Sequence, residues 1–317
     1  MTYVDVGAMG GISRKWAQVK ECLQVIGFEP DKREFKKLQS SEAEQFLNYI
    51  VYKQSADIQL NVTQDPGKTS IYKPNLKVLN EFPDADRHQV VESIRFSQDT
   101  VDSLDNILKK HGLDADFLKI DTQGSELDIL EGAERSLENI FGVELEVEFL
   151  PLYEGQALFP DVHSFMTHRG FVLYDLRRAF WKRKEYFDYI GKGQLIFGDA
   201  LYVKQVGHFL ESLGNMKDEE KRILKILCSV TACLVYGVYD YAFSITEGVF
   251  KKGYISLDYK NKMIEGIGRV SKKSFLPHFW GREFLYKGFN KMAELLQPKS
   301  YLGWADGDRF IGNARNG

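Results

Sequence analysis

Residues 116–133 read DFLKIDTQGSELDILEGA, and this stretch decides the fold. The apolar run from Phe117 to Ile120 predicts a strand that stops on Asp121, and Gly124 marks a short turn after it. Glu126 then opens a segment whose apolar residues have helical spacing. This order places two carboxylates at the carboxyl edge of a parallel sheet, which is the edge where open α/β sheets bind their ligands.

The rest of residues 1–204 alternates between strand-like and helix-like segments, as a mostly parallel sheet with crossover helices requires. Predicted strands lie at 3–6, 23–28, 50–52, 58–62, 90–96, 117–120, 143–149, 171–176, 194–197 and 201–203, and predicted helices at 12–22, 31–49, 101–111, 126–137 and 162–168. The closely spaced strand segments at 194–203 favour an antiparallel strand added at a sheet edge. Residues 63–88 are rich in Pro, Gly, Asn and Asp and predict a long loop that covers a site.

The pattern changes near residue 204, after which the sequence becomes helix-periodic. We therefore predict an α/β domain at 1–204 and an α-helical domain of unknown role at 205–317. Residues 205–317 hold 17 Lys and Arg against 12 Asp and Glu, whereas the chain as a whole has a net charge of −3. A basic tail on an acidic body suggests a homodimer contact or a protein partner for the helical region, unless these lysines only form solvated helix faces.

Composition excludes several classes of protein. The small net charge gives no general reason to expect nucleic acid or an anionic membrane as a partner. The three cysteines, Cys22, Cys228 and Cys233, indicate a reducing compartment, and the six histidines show no metal-binding spacing. No signal peptide is recognisable, and the most apolar run, at 223–250, is too mixed to span a bilayer. A cytoplasmic protein without a metal site is expected.

A glycine-rich turn follows the first predicted strand. Its sequence, DVGAMGG at residues 5–11, is not the dinucleotide pattern G-x-G-x-x-G. Glycines let the backbone approach a ligand closely, and Asp5 would repel a pyrophosphate but suits a cationic amino-acid end such as that of S-adenosylmethionine. We expect the ligand contacts to come from Asp5, Gly7, Ala8 and Gly11, although a tight strand–helix turn without ligand would look the same.

Glu29 ends the second predicted strand, about 20 residues beyond the glycine turn. A carboxylate at that place accepts hydrogen bonds from ribose hydroxyls. The alternative is that Glu29 only caps the helix predicted from Asp31, whose start Pro30 fixes in either case. We place Glu29 and Pro30 among the cofactor-binding residues.

Three carboxylates are candidate catalytic bases, namely Asp121, Glu126 and Glu148. Asp121 can face either the acceptor hydroxyl or the amino-acid part of the cofactor, so we also place it among the cofactor-binding residues. The alternative for Glu126 is a favourable interaction with the helix dipole. Glu148 is the last of three glutamates that alternate along residues 143–149 and therefore share one strand face. We expect Glu148 at the rim of the sheet, and Glu144 and Glu146 paired with basic groups under a helix.

Two further segments have weaker signals. Tyr153 and Gln156 could line an acceptor pocket or simply belong to a packed loop. Residues 177–184 mix cations with aromatic side chains and could meet a phosphate or a sugar, or be solvated.

Four blocks together resemble the FkbM family of S-adenosylmethionine-dependent methyltransferases: VDVGAMGG (4–11), IGFEPDKREFKKL (26–38), FLKIDTQGSELDILEGAERSL (117–137) and the segment from Val143 to Leu176. The resemblance is collinear over about residues 3–204, and KIDTQGSE is its specific part. It implies a class I methyltransferase fold, Rossmann-like, with a seven-stranded sheet that has one antiparallel strand. It also implies that Asp5, Gly7 and Gly11 lie on the cofactor turn, Glu29 at the ribose, and Asp121 beside the methyl donor. Met9 stands where the family often has a small polar residue.

The expected function is O-methylation of a hydroxyl on a sugar, a polysaccharide or a related metabolite, with S-adenosylmethionine as cofactor. A positioned base would accept the proton of the hydroxyl, or a divalent ion would acidify it. Two alternatives stay open. One is a nicotinamide-dependent oxidoreductase, and the other is a non-catalytic scaffold that partners an enzyme of glycan biosynthesis.

Overall fold

The computed structural model describes residues 1–185, 193–271, 279–296, 306–307 and 311. Its strands are β1 (Thr2–Val6), β2 (Gln24–Phe28), β3 (Glu44–Leu47), β4 (Ile50–Tyr52), β5 (Ile58–Thr63), β6 (Val90–Phe96), β7 (Val101–Ser103), β8 (Phe117–Ile120), β9 (Gly142–Glu148), β10 (Phe171–Trp181), β11 (Gln194–Lys204) and β12 (Asp306–Gly307). Its helices are α1 (Arg14–Ala17), α2 (Lys32–Phe35), α3 (Leu76–Leu79), α4 (Leu104–His111), α5 (Glu126–Glu131), α6 (Glu134–Asn139), α7 (Phe159–His168), α8 (Val206–Gly214), α9 (Glu219–Val235), α10 (Tyr239–Lys251), α11 (Leu257–Val270) and α12 (Arg282–Leu295). Short 3₁₀ turns lie at Lys20–Cys22, Pro66–Lys68 and Ala85–His88.

The main sheet has the order β12-β10-β11-β9-β8-β1-β2-β3 in the described residues. Strands β3, β2, β1, β8 and β9 run parallel to one another, while β11 is antiparallel to both β9 and β10. Seven strands with one reversed agree with the predicted α/β class, and the two-residue β12 adds an eighth. The reversed strand lies between β9 and β10, so its predicted place at a sheet edge is wrong. Residues 194–203 are also one strand rather than two, with a register shift opposite residues 179 and 180.

The helix predicted at 31–49 is wrong. Asp31 caps α2 as expected, because its Oδ1 accepts from the Arg33 amide at 2.8 Å, but α2 ends at Phe35. The chain then turns through polar residues and forms β3, the edge strand of the sheet, in which Phe46 packs inward. Phe35, Leu38 and Phe46 have spacing compatible with a helix, so local periodicity could not reveal that the chain changes direction between them.

Each face of the sheet carries its own hydrophobic core. One face packs Val4, Val6 and Ile120 against α4, α5, α6 and α7. On the other face, Tyr3 and Phe117 pack against Trp16 of α1 and against the C-terminal helices α8, α9 and α10. Burial of each large apolar side chain stabilises the fold by about 1.5–3 kcal/mol.

The C-terminal helices therefore share a core with the sheet. Ile226, Cys233 and Tyr236 of this region belong to the same buried cluster as Tyr3 and Phe117. The predicted division at residue 204 stays a prediction, but no break in the hydrophobic core marks it within the described residues.

Two small sheets and a long connection form what we call the edge cap, beside the carboxyl ends of β1, β2 and β8. β4 pairs in parallel with β7, and β5 pairs with β6 in an antiparallel hairpin. Residues 63–88 join β5 to β6 and contain short helical turns and isolated β-bridges at Ser70 and Pro74, in agreement with the predicted long loop. The predicted strands at 50–52 and 58–62 thus both exist, but each pairs with a strand from residues 90–103.

Candidate functional site

Three adjacent strands end together and place three predicted site residues in one region. Val6 lies opposite Phe28 on one side and Ile120 on the other, so the next residues, Gly7, Glu29 and Asp121, follow neighbouring strand ends. A cavity of about 400 Å³ opens there, between the sheet edge and the edge cap. Its lining includes Gly7, Glu29, Pro30 and Asp121 of the predicted residues, and from the edge cap mainly residues 65–71 and Arg87.

The glycine turn is built around a close backbone approach. Gly7 has φ +87°, and a Cβ at this position would lie 1.9 Å from the carbonyl oxygen of Asp121. The amides of Gly7 and Ala8 both donate to the carbonyl of Phe28 at 2.9 Å, which fixes the turn against β2. Ala8 and Gly11 do not line the cavity; Ala8 is buried, and the Gly11 amide donates to its carbonyl at 3.0 Å. These two residues therefore shape the turn, while Gly7 borders the cavity.

Glu29 is a buried carboxyl at the cavity wall. Its Oε1 accepts from the Asp31 amide at 2.8 Å, and Asn48 donates to the backbone carbonyls of Glu29 and Pro30 at 2.7 and 3.0 Å. Burial raises the pKa of Glu29 from 4.5 to about 7, and the neighbouring carboxylates Asp31 and Glu34 act in the same direction. The side chain thus helps to begin α2, as the capping interpretation proposed, and also borders the cavity.

Asp5 is separated from the cavity by a lysine that the sequence interpretation did not consider. The Lys119 ammonium lies 3.0 Å from Asp5 Oδ1, and Lys119, not Asp5, lines the cavity. Burial opposes the charge on Lys119, but the combined field of Asp5 and Asp121 outweighs it and raises the pKa of the lysine. The carboxylate of Asp5 is therefore already paired with a cation.

Glu126 holds the loop that carries Asp121. Its Oε1 accepts from the Thr122 amide at 2.9 Å and its Oε2 from the Gly124 amide at 2.9 Å. The side chain is buried and is not part of the cavity lining. Burial raises its pKa to about 7, although these hydrogen bonds favour the ionised form. Both oxygens are thus used inside the loop.

Gln123 links the edge cap to the acidic side of the cavity. It is a non-glycine residue with φ +60°, a conformation that L-residues rarely adopt. Its Nε2 donates to Asp121 Oδ1 at 3.1 Å and to Glu146 Oε2. Its Oε1 accepts from Lys68 Nζ at 3.2 Å and from the Tyr153 hydroxyl at 3.1 Å, and its carbonyl accepts from Ser70 Oγ at 2.7 Å. The amide thereby orients two carboxylates with one end and holds residues 68–70 with its other groups.

The three glutamates of β9 share one face, as their alternation predicted, but they have different surroundings. Glu144 pairs with Lys15 at 2.9 Å and accepts from the Tyr236 hydroxyl, in agreement with the expected basic partner under a helix. Glu146 lines the cavity and accepts a hydrogen bond from Gln123 rather than pairing with a basic group of the described residues, so its predicted basic partner is wrong.

Glu148 is buried behind the cavity rather than exposed at the rim. It is absent from the cavity lining, and its Oε1 has no hydrogen-bond partner. Burial, reinforced by repulsion from Glu126 and Glu146, raises the pKa of Glu148 well above its ordinary value. Burial likewise raises the pKa of Glu146, and Asp121 adds to it.

The two segments with weaker sequence signals pack around the site. The Tyr153 hydroxyl donates to the Lys68 carbonyl, and the Gln156 Oε1 accepts from the Tyr153 amide, so both belong to the packed loop. In the segment at 177–184, Arg177 pairs with Asp199 and Arg183 with Glu81.

Phe197, opposite Glu148 in the β9–β11 pair, lines the cavity, and the Lys68 ammonium lies 5.8 Å from the centre of its ring. In the part of the chain that the structure describes, no group of three or more His, Cys, Asp and Glu side chains could hold a metal ion.

Comparisons with known proteins give a family match and distant structural similarities. The family model of the methyltransferase FkbM domain matches residues 5–173, which is more than half of the chain. No curated protein matches the sequence. A solved structure of methyltransferase FkbM from Methylobacillus flagellatus KT is similar at 14% identity and a TM-score of 0.32, covering 64% of this chain and 43% of that one. Magnesium protoporphyrin IX methyltransferase (ChlM) from Synechocystis PCC 6803, solved with bound SAM, is similar at 11% identity and a TM-score of 0.31, covering 64% and 69%. This chain thus spans less than half of the first of these proteins.

Proposed function

The chain belongs to the FkbM methyltransferase family, and we propose that it transfers a methyl group from S-adenosylmethionine to a hydroxyl of a sugar, a polysaccharide or a related metabolite. The observation that carries this proposal is the cavity at the carboxyl edge, where Gly7, Glu29 and Asp121 meet. We propose that the protein acts in the cytoplasm, as expected from the sequence.

The cavity residues fit the proposed cofactor. Gly7 exposes backbone beside the cavity because a side chain there would collide with Asp121. The buried Glu29 offers a carboxylate for ribose hydroxyls, and Pro30 lines the wall next to it. Asp5 supports this site through Lys119, since it has no direct access to the cavity. When bound, S-adenosylmethionine supplies an electrophilic methyl group on a sulfonium.

The acceptor hydroxyl is proposed to lie between Asp121 and Glu146. Their carboxyl groups, both held by the Gln123 amide, offer several hydrogen-bond acceptors close together, and Phe197 adds an aromatic surface to the same wall. Such a mixture of acidic groups and an aromatic ring suits a polyhydroxylated molecule.

Asp121 is our choice for the base. Of the three candidates, it alone lines the cavity with an exposed side chain. Its carboxylate accepts the proton as the acceptor oxygen forms its bond to the methyl carbon and the carbon–sulfur bond breaks. Glu126 holds the loop of Asp121, so we propose a positioning role for it, whereas Glu148 lies behind the cavity wall and does not line the cavity.

The direct test compares two variants with the unmodified protein in a methyl-transfer assay that uses labelled S-adenosylmethionine and a panel of sugars and polysaccharides. Asp121→Asn should reduce turnover about 10²–10⁴-fold, the usual contribution of a general base, while cofactor affinity measured by calorimetry changes little. Glu148→Gln is the matched control and should keep most of the activity, because a buried neutral carboxyl and an amide are similar. Full activity of Asp121→Asn would remove Asp121 from the role of base. The same conclusion would follow if Glu148→Gln, and not Asp121→Asn, lost the activity.

The same assay separates the alternatives. Binding of NAD in calorimetry without binding of S-adenosylmethionine would favour the oxidoreductase. Tight binding of S-adenosylmethionine without turnover on any hydroxylated acceptor would favour the non-catalytic scaffold.

A further inference from the structure

Helix α12 and its immediate flanks, within residues 279–296, expose an unusual number of large apolar side chains. Between Phe279 and Leu296, nine such side chains are 42–99% exposed, and Trp280 is the most exposed of them. None of these side chains belongs to the buried clusters or their packed neighbours in the described part of the chain. A soluble protein rarely presents an apolar surface of this density without a partner.

The apolar residues of α12 follow the helical period. Leu285, Phe289, Met292 and Leu296 are spaced by four, three and four positions, and Phe284 and Leu295 extend the same face. By the same period Lys287, paired with Glu283 at 2.6 Å, falls on the opposite side, and Lys291 falls at the border of the apolar face, beside Phe284. The helix is therefore amphipathic, with aromatic residues on its apolar face and lysines on its polar face and at the border.

The charge around the helix selects among possible partners. From Arg269 to Lys299 the sequence holds seven Lys and Arg against two Glu. Two copies of this segment would repel each other, which disfavours a dimer through α12. An anionic surface would attract it.

We propose that α12 attaches the protein to the surface of an anionic lipid membrane. An amphipathic helix with Trp, Phe and Leu on one face and Lys on the other lies in the plane of the membrane interface, with its apolar face among the acyl chains. The helix has 14 residues, too few to cross a bilayer. No described helix is both long enough and apolar enough to span one. The attachment is thus peripheral, and it does not depend on the methyltransferase activity.

The test measures co-sedimentation of the full chain with vesicles, in the absence of any cofactor. Vesicles of phosphatidylcholine with phosphatidylglycerol should bind the protein more tightly than phosphatidylcholine alone, by about fivefold for each basic residue near the surface, and salt should weaken the binding. The double variant Phe284→Ser, Phe289→Ser should lose the binding, and Lys287→Glu with Lys291→Glu should lose the preference for anionic lipid.

Leu224→Ser with Leu257→Ser is the matched control, because both leucines are more than half exposed on other C-terminal helices. This variant should bind vesicles like the unmodified chain. Absence of vesicle binding by the unmodified chain would overturn the proposal. Sedimentation velocity showing a dimer that the Phe284 and Phe289 changes dissociate, without vesicle binding, would assign the apolar face to a second copy instead.

Discussion

Replacing Glu29 by Gln should make the protein more stable and its cofactor binding weaker. The amide keeps the hydrogen bond that Glu29 Oε1 accepts from the Asp31 amide. It removes the charge that burial makes costly. The two effects have opposite signs, so a general loss of structure cannot imitate them.

The magnitude follows from the pKa. A folded-state pKa of about 7, compared with an ordinary 4.5, corresponds to about 3 kcal/mol of stability. Because the folded pKa is raised, this contribution is fully present below pH 4.5 and is lost as the pH rises to about 7. Glu29→Gln should therefore match the unmodified protein in unfolding free energy near pH 4 and exceed it by up to about 3 kcal/mol at pH 8.

Cofactor binding should change in the other direction. Hydrogen bonds from ribose hydroxyls to a carboxylate contribute about 1.5–3 kcal/mol, so the amide should weaken the affinity for S-adenosylmethionine at pH 8 at least about tenfold. The affinity of the unmodified protein should rise with pH around 7, and that of the variant should not. Denaturant titrations and calorimetry at both ends of this pH range measure the two quantities. Equal stability and equal affinity at pH 8 would refute a buried, ribose-binding Glu29.

Three more changes test the surroundings of the cavity. Gly7→Ala should destabilise the fold by more than about 2 kcal/mol because its Cβ meets the Asp121 carbonyl; Gly10→Ala, with φ +78° and open space, should show only the smaller backbone cost in the same denaturant titration. Gln123→Glu should move the pH–rate profile of methyl transfer to higher pH, because a third carboxylate raises the pKa of its neighbours. An unchanged profile would contradict the close contact of Gln123 with the two carboxyl groups. A fragment ending at residue 204 should fail to unfold cooperatively in calorimetry, because it leaves one face of the sheet without α8, α9 and α10; a stable, monomeric fragment would show that these helices are a separate unit.

The strands that position the site were predictable from local pattern. The apolar run from Phe117 to Ile120 is typical of a buried strand. The alternating glutamates of β9 show the period of two that a strand requires. The carboxyl edge then follows from chain direction alone. This is why Gly7, Glu29 and Asp121 could be placed near one another before any coordinates were known.

The partners across the sheet could not be read in the same way. Lys119, on the neighbouring strand, forms an ion pair with Asp5. Gln123 accepts a hydrogen bond from Lys68, which lies 55 residues earlier in the chain. Alternation correctly put Glu146 on the face of Glu144, but only the tertiary arrangement decides that Glu146 borders a cavity whereas Glu144 meets Lys15.

The core shared between the sheet and the C-terminal helices was also hidden in the sequence. Amphipathic helices after residue 204 predict a buried face but not what covers it. Tyr236, whose hydroxyl donates to Glu144 and whose ring stacks 5.3 Å from Phe117, reads in sequence only as one more aromatic residue of a helical run.

A crystal structure of the full chain grown with S-adenosylmethionine tests the central claim most directly. We predict density for the adenosyl group in the cavity beneath the edge cap, with ribose hydroxyls about 3 Å from the carboxylate of Glu29 and the methyl-bearing sulfur facing Asp121. A cavity closed by its own side chains, or a cofactor bound elsewhere with Glu29 untouched, would contradict it.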